Sequence, residues 1–147
     1  SSALVPGTPV AIRTRDGTEL GVGIWDEGHV EVRRFREDQG PINAELLRER
    51  IQQARARRVL PPETTAWRLV HGENDDMPGV RVEVWDTVAV ITLDSPSLHG
   101  LVDPLIEVLT SELELTSIWL HWRGDDPRFA ARSVGRGDVA GIARSRT

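Results

Sequence analysis

Arginines and aromatic rings in the first sixty residues have the types and spacing to engage a polyanion. Arg13, Arg15, Arg33, Arg34 and Arg36 fall on or beside short alternating segments, and Arg48, Arg55 and Arg58 on the helical segment that follows. A guanidinium forks onto a phosphate through paired N–H···O bonds, and each such contact releases condensed counterions. Backbone binding to RNA is the chemistry this set could carry. Trp25 and Phe35, on the outward-reading side of their strands, add ring faces for base stacking. The competing reading is a solvated face on which the arginines pair with Glu19, Glu31, Glu37 and Glu45.

Other chemistries find less support. With no cysteine there is no disulfide and no thiolate nucleophile, and a reducing, cytoplasmic setting is compatible. His29, His71, His99 and His121 lack ligand-like spacing. The acidic turn Glu73-Asn74-Asp75-Asp76 could offer oxygen ligands to a hard cation. Such a turn more often hydrogen-bonds its own backbone, so no metal is expected. Neither a catalytic nor a cofactor-binding residue can be named. Trp67, Trp85, Trp119 and Trp122 read as core or interface fillers, with Trp119 and Trp122 on the apolar segment Ile118 to Trp122 as candidates for a dimer face.

The elements that would position these residues follow from periodicity. Val10 to Thr14 and Glu19 to Trp25, joined at Asp16-Gly17, read as a β-hairpin. On the second strand Gly21 and Gly23 share a side, which suggests a bend or a close backbone approach. His29 to Phe35 reads as a third strand, and short strands with glycine turns suit a small barrel. Asn43 is a plausible N-cap, with Ile42 and Leu47 at the staple positions, for a helix carrying Leu47, Ile51 and Ala54 at helical spacing. Pro61-Pro62 stops it. Thr65 to Val70, Val80 to Trp85 and Val88 to Leu93 read as strands, and Pro78-Gly79 as a turn. A helix carrying Leu98, Val102, Leu105 and Leu109 follows, with Asp103 as cap and Pro104 at its first position, then a strand from Thr116 to Trp122. The expected division is a β region over 1–40, a connecting helix over 41–62, an α/β domain over 63–125 and a glycine- and arginine-rich tail or linker over 126–147. The fold class is α+β.

The net charge of −5 argues against general affinity for nucleic acid, but it is unevenly spread. Residues 1–60 hold ten arginines and nine acids, residues 61–122 two and eleven, and residues 123–147 six and three. The ends are cationic and the middle repels phosphate. All 18 basic residues are arginine. No 18-residue apolar run is present, so no membrane helix is expected.

Arg68-Leu69-Val70-His71-Gly72-Glu73, followed by Asp75 or Asp76 and by Met77-Pro78-Gly79-Val80, resembles the opening of the middle domain of ribosomal-RNA 5-methylcytosine methyltransferases. In that family an RNA-binding PUA domain precedes this domain and a Rossmann catalytic domain follows it. Asp16-Gly17 with Leu20-Gly21-Val22-Gly23 resembles the last hairpin of the PUA domain, Val32-Arg33 the next strand, and the helix with Leu47, Arg50 and Ala54 the connecting segment. The resemblance covers roughly four-fifths of the chain. It implies a partial PUA-like barrel, then the middle domain, with structured rRNA as partner. S-adenosylmethionine and the catalytic cysteine would belong to the domain expected after residue 130. The expected role is a non-catalytic module that binds and positions RNA; the alternative is a protein-interaction or homodimerisation module.

Overall fold

A computed structural model describes residues 4–28 and 31–121, together with the backbone of 122 and 132–134, so the side chain of Trp122 lies outside the described residues. Most of the stretch 126–147 therefore lies outside the described residues, as do His29 and Val30. The first strands form an open antiparallel sheet, β1 (Pro9–Arg13), β2 (Glu19–Trp25) and β3 (Val32–Arg36), in that order. Among the described residues this sheet does not close into a barrel.

Helix α1 (Ala44–Arg57) begins where the sequence predicts: the Asn43 side chain accepts a hydrogen bond from the Leu46 backbone N–H at 3.1 Å, and Ile42 packs against the core beneath it. The helix buries Leu46, Leu47, Ile51 and Ala54. The Asn43 cap satisfies an N–H that has no partner within the helix. Asn43→Ala is expected to cost about 1 kcal/mol, visible as a lowered urea midpoint with an unchanged m-value.

The second sheet runs in sequential order from β4 (Ala66–His71) through β5 (Val80–Trp85), β6 (Val88–Leu93) and β7 (Ser117–Trp122) to β8 (Arg132–Val134). All its pairs are antiparallel except β6–β7. That parallel step needs a crossover, supplied by a 3₁₀ segment (Pro96–Leu101) running straight into α2 (Val102–Glu112). Asp103 therefore does not cap α2 and Pro104 is its third residue, not its first. Pro104 is still tolerated, since first-turn N–H groups have no intrahelical acceptor. Val82, Val84, Ile91, Ile118 and Leu120 are buried with Leu47, Ile51, Leu105 and Leu109 in one core cluster. Ile24 and Phe35 of the first sheet belong to the same cluster.

Phe35 corrects one expectation. It is 2% exposed, so its ring is no stacking platform. The β2–β3 register pairs Val22 with Arg36 and Gly23 with Arg34, leaving Phe35 as the extra residue of a bulge. A bulge shifts the in–out alternation by one residue, and the ring turns into the core.

Candidate nucleic-acid interface

The arginines singled out in the sequence do not gather on one face. Arg34 and Arg36 of β3, with Arg50 of α1, border an open cleft of about 880 Å³ that extends to Pro78. Glu37, Asp38, Glu49, Glu73 and Asp76 border it too, so the cleft is not a cationic groove. Arg36 is tied to Asp38 and donates to the Pro41 carbonyl at 2.6 Å. That pairing holds Asp38 below its ordinary pKa and raises that of Arg36. Arg50 donates to the Phe35 carbonyl at 3.3 Å, while its buried Nε has no partner among the described residues. Arg34 is exposed, 3.9 Å from Glu37, and donates to the Leu20 carbonyl at 3.3 Å.

Arg13 and Arg15 stand at the hairpin end of the first sheet. Arg13 lies 3.5 Å from Glu19, and Arg15 is exposed with no ion pair among the described residues. There Asp16, held by the Thr14 and Thr18 hydroxyls, has its pKa lowered to about 2. Arg48 and Arg55 point toward α2 instead, where Arg48 sits 3.7 Å from Glu112 and Arg55 donates to the Glu112 carbonyl at 2.7 Å. Trp25 is half-buried at the end of β2. Exposed pairs such as Arg13–Glu19 and Arg34–Glu37 are worth at most about 1 kcal/mol, so a phosphate can displace the carboxylate.

Two of the predicted arginines are structural clamps. Arg33 is paired with Asp26 and lies against Gly79. Ser97 donates to Asp26 at 2.9 Å, which joins the first sheet to the 3₁₀ segment before α2. Burial would raise the pKa of Asp26, but hydrogen bonds from Ser95, Arg33 and Ser97 outweigh it and hold the pKa down. Arg58 just past α1 grips Asp75 through Nη1 at 2.8 Å and Nη2 at 2.6 Å, and Arg57 adds a contact at 3.0 Å. The His71 backbone N–H donates to the same carboxylate at 2.6 Å. Asp75 is 1% exposed. Burial pushes its pKa up, yet Arg58, the His71 N–H and Arg57 together bring it below the ordinary value. The acidic turn thus carries an ion-pair clamp, and no metal-like cluster occurs among the described residues. No sequence period marks an acid that must be buried; the adjacent pair Arg57-Arg58 beyond the last buried helix position was the available hint.

The sequence also missed the outer face of the second sheet. Its inner face is covered by the helices, whereas the pairing sets three rows on the other side. His71, Arg81, Thr92 and His121 form the first row, Arg68, Glu83, Val90 and Trp119 the second, and Ala66, Trp85, Val88 and Ser117 the third. Trp85 is 55% exposed and Trp119 half-buried.

The chain superposes on solved chains described as methyltransferases, one of them as SAM-dependent. One, solved with SAH, gives a TM-score of 0.73 at 13% identity over 97% of this chain and 43% of that one. Another, from Streptococcus mutans, gives 0.73 at 12% identity over 97% and 44%. These likenesses establish the fold as one found within longer methyltransferase chains. In sequence, the chain is 30% identical over 118 residues to ribosomal RNA large subunit methyltransferase I of Shewanella denitrificans, and 31% identical over 108 residues to its namesake in Shewanella frigidimarina. Those stretches cover 77% and 70% of this chain, but the chain spans only 30% and 27% of the relatives' lengths. No family model matches. Among the described residues, no helix is long and apolar enough to cross a membrane.

Proposed function

We propose that this chain is an accessory module that binds and positions structured rRNA for methylation by a separate catalytic domain. The observation that carries the reading is the 30% identity over 118 residues to rRNA large subunit methyltransferases, confined to less than a third of their length. The module's task is orientation: phosphate contacts fix register, and a target base is then presented to an active site elsewhere. S-adenosylmethionine is assigned to that other domain. The partial PUA-like character of the first sheet belongs to this proposal, as does the cytoplasmic setting of such an rRNA module. Phosphate contacts fall to Arg13, Arg15 and Arg34, whose guanidinium groups are exposed and at most weakly paired. Arg48 and Arg55 offer a secondary contact, and Trp25 a ring edge.

A filter-binding titration against folded rRNA fragments tests this. With about three phosphates neutralised, log K is expected to fall with log salt at a slope of about −2 to −3, and Arg15→Ala to reduce the slope by about 1. Binding weaker than about 10⁻⁴ M, the weak end of non-specific affinity, rejects the proposal. A homodimerisation module is the second reading, favoured by the exposed Trp85 beside Val88, with Trp119 two strands away, on the sheet face that no described helix covers. Light scattering in high salt distinguishes it, because an apolar dimer persists where phosphate contacts are screened away.

A further inference from the structure

Residues 61–122 carry eleven acids and two arginines, yet both arginines, Arg68 and Arg81, stand on the face of the second sheet that no described helix covers. His71 and His121 share that face, and Glu83 is the one acid within strands β4 to β7. The most acidic part of the chain therefore turns its few cations toward a single surface. Trp85 and Trp119 lie on the same surface, on strands separated only by β6.

The geometry points to this face as a platform for single-stranded RNA, with unpaired bases stacked on Trp85 and Trp119 and phosphates held by Arg81 and Arg68. The inference rests on the RNA reading above and adds a second surface to it, one for unpaired nucleotides. Three observations select this occupant. Arg68 lies 3.6 Å from Glu83 and Arg81 3.6 Å from Asp94, separations at which partly exposed pairs are weak and a phosphate competes well. Arg68 also donates to His71 Nδ1 at 2.7 Å. Since a guanidinium only donates, that ring nitrogen accepts, and the contact holds the imidazole beside Arg68 on this face. Finally, a ring standing on an open sheet is reached by an unstacked base but not by one enclosed in an A-form duplex.

The test uses the whole 147-residue chain and two fluorescein-labelled RNAs of about 12 nucleotides, within the site sizes of single-strand binders. One is unstructured and the other a hairpin. The unstructured RNA is expected to bind and to quench tryptophan emission. Trp85→Ala should weaken it about 5- to 100-fold, with the thermal midpoint unchanged because the ring is exposed. Arg81→Ala should lower its salt slope by about 1. If both variants bind the unstructured RNA as wild type does, the platform is rejected while hairpin binding leaves the module reading intact. If neither RNA binds, both readings fall. A wild-type dimer that Trp85→Ala dissolves would show the face to be a protein interface and overturn the platform.

Discussion

Asp75→Ala is expected to cost about 3 kcal/mol of folding free energy, and Asp75→Asn about 2. Removing one member of a buried ion pair costs about 3–5 kcal/mol when the stranded charge stays buried. Here the side chains of Arg57 and Arg58 keep 45% and 21% of their exposure, so both can recover water and the cost falls to the low end. The His71 N–H loses its acceptor in the alanine variant, while asparagine retains one oxygen for it. The clamp joins the end of α1 to the turn after β4, so its loss should also free Arg58 from the Arg68 and Ala54 carbonyls. Urea denaturation of the three proteins measures the effect, and a midpoint unchanged by Asp75→Ala would show that the clamp contributes nothing net.

The same carboxylate sets a pH dependence. Its pKa in the folded chain is lowered, whereas an unfolded aspartate titrates near ~3.9. The unfolded chain therefore takes up the proton first as pH falls, and the clamp's contribution is full above the unfolded value and lost as pH drops through the folded one. The thermal midpoint should be flat from neutrality to about pH 5 and fall below about pH 4. Asp26 and Asp38, whose pKa values are also lowered, share the acid limb. Asp75→Asn should therefore make the fall shallower without abolishing it. An identical acid limb in the variant would refute the assignment.

What the sequence made legible was local. The Asn43 cap, the Leu47–Ile51–Ala54 stripe and the bounds of β5 and β6 depend on neighbours within a few residues, and the structure has them as expected. Phe35 was misjudged because a bulge is a property of two paired strands, so one strand's alternation cannot reveal it. The arginines were misjudged for a related reason. Composition locates charge along the chain, but whether Arg33 meets Asp26 or Arg58 meets Asp75 depends on contacts seven and seventeen residues away. The face that no described helix covers was least legible of all. Its rows cross four strands, and alternation in β5 or β7 alone cannot say which side the helices leave open.

Gly21→Ala is expected to cost about 3 kcal/mol, a large share of the roughly 5–15 kcal/mol that holds a domain folded. Gly21 has φ +131°, outside the regions an L-residue adopts without strain, and such a backbone costs about 1–3 kcal/mol by itself. A Cβ there would also run into the Arg36 carbonyl oxygen and press on the Glu37 Cα. These are backbone atoms, so relief requires β2 and β3 to separate, at a further cost typical of overpacking of about 1–3 kcal/mol. The shift would move Arg34 and Arg36, so RNA affinity should fall with stability even though position 21 contacts no phosphate. Gly100→Ala is the control. A Cβ there meets nothing within 4 Å, and its φ is not in the positive range, so its stability should stay within about 0.5 kcal/mol of the parent or rise slightly. Equal urea midpoints for the two variants would mean that β2 and β3 are not held in close approach at Gly21, and that the arginines of β3 owe their positions to something else.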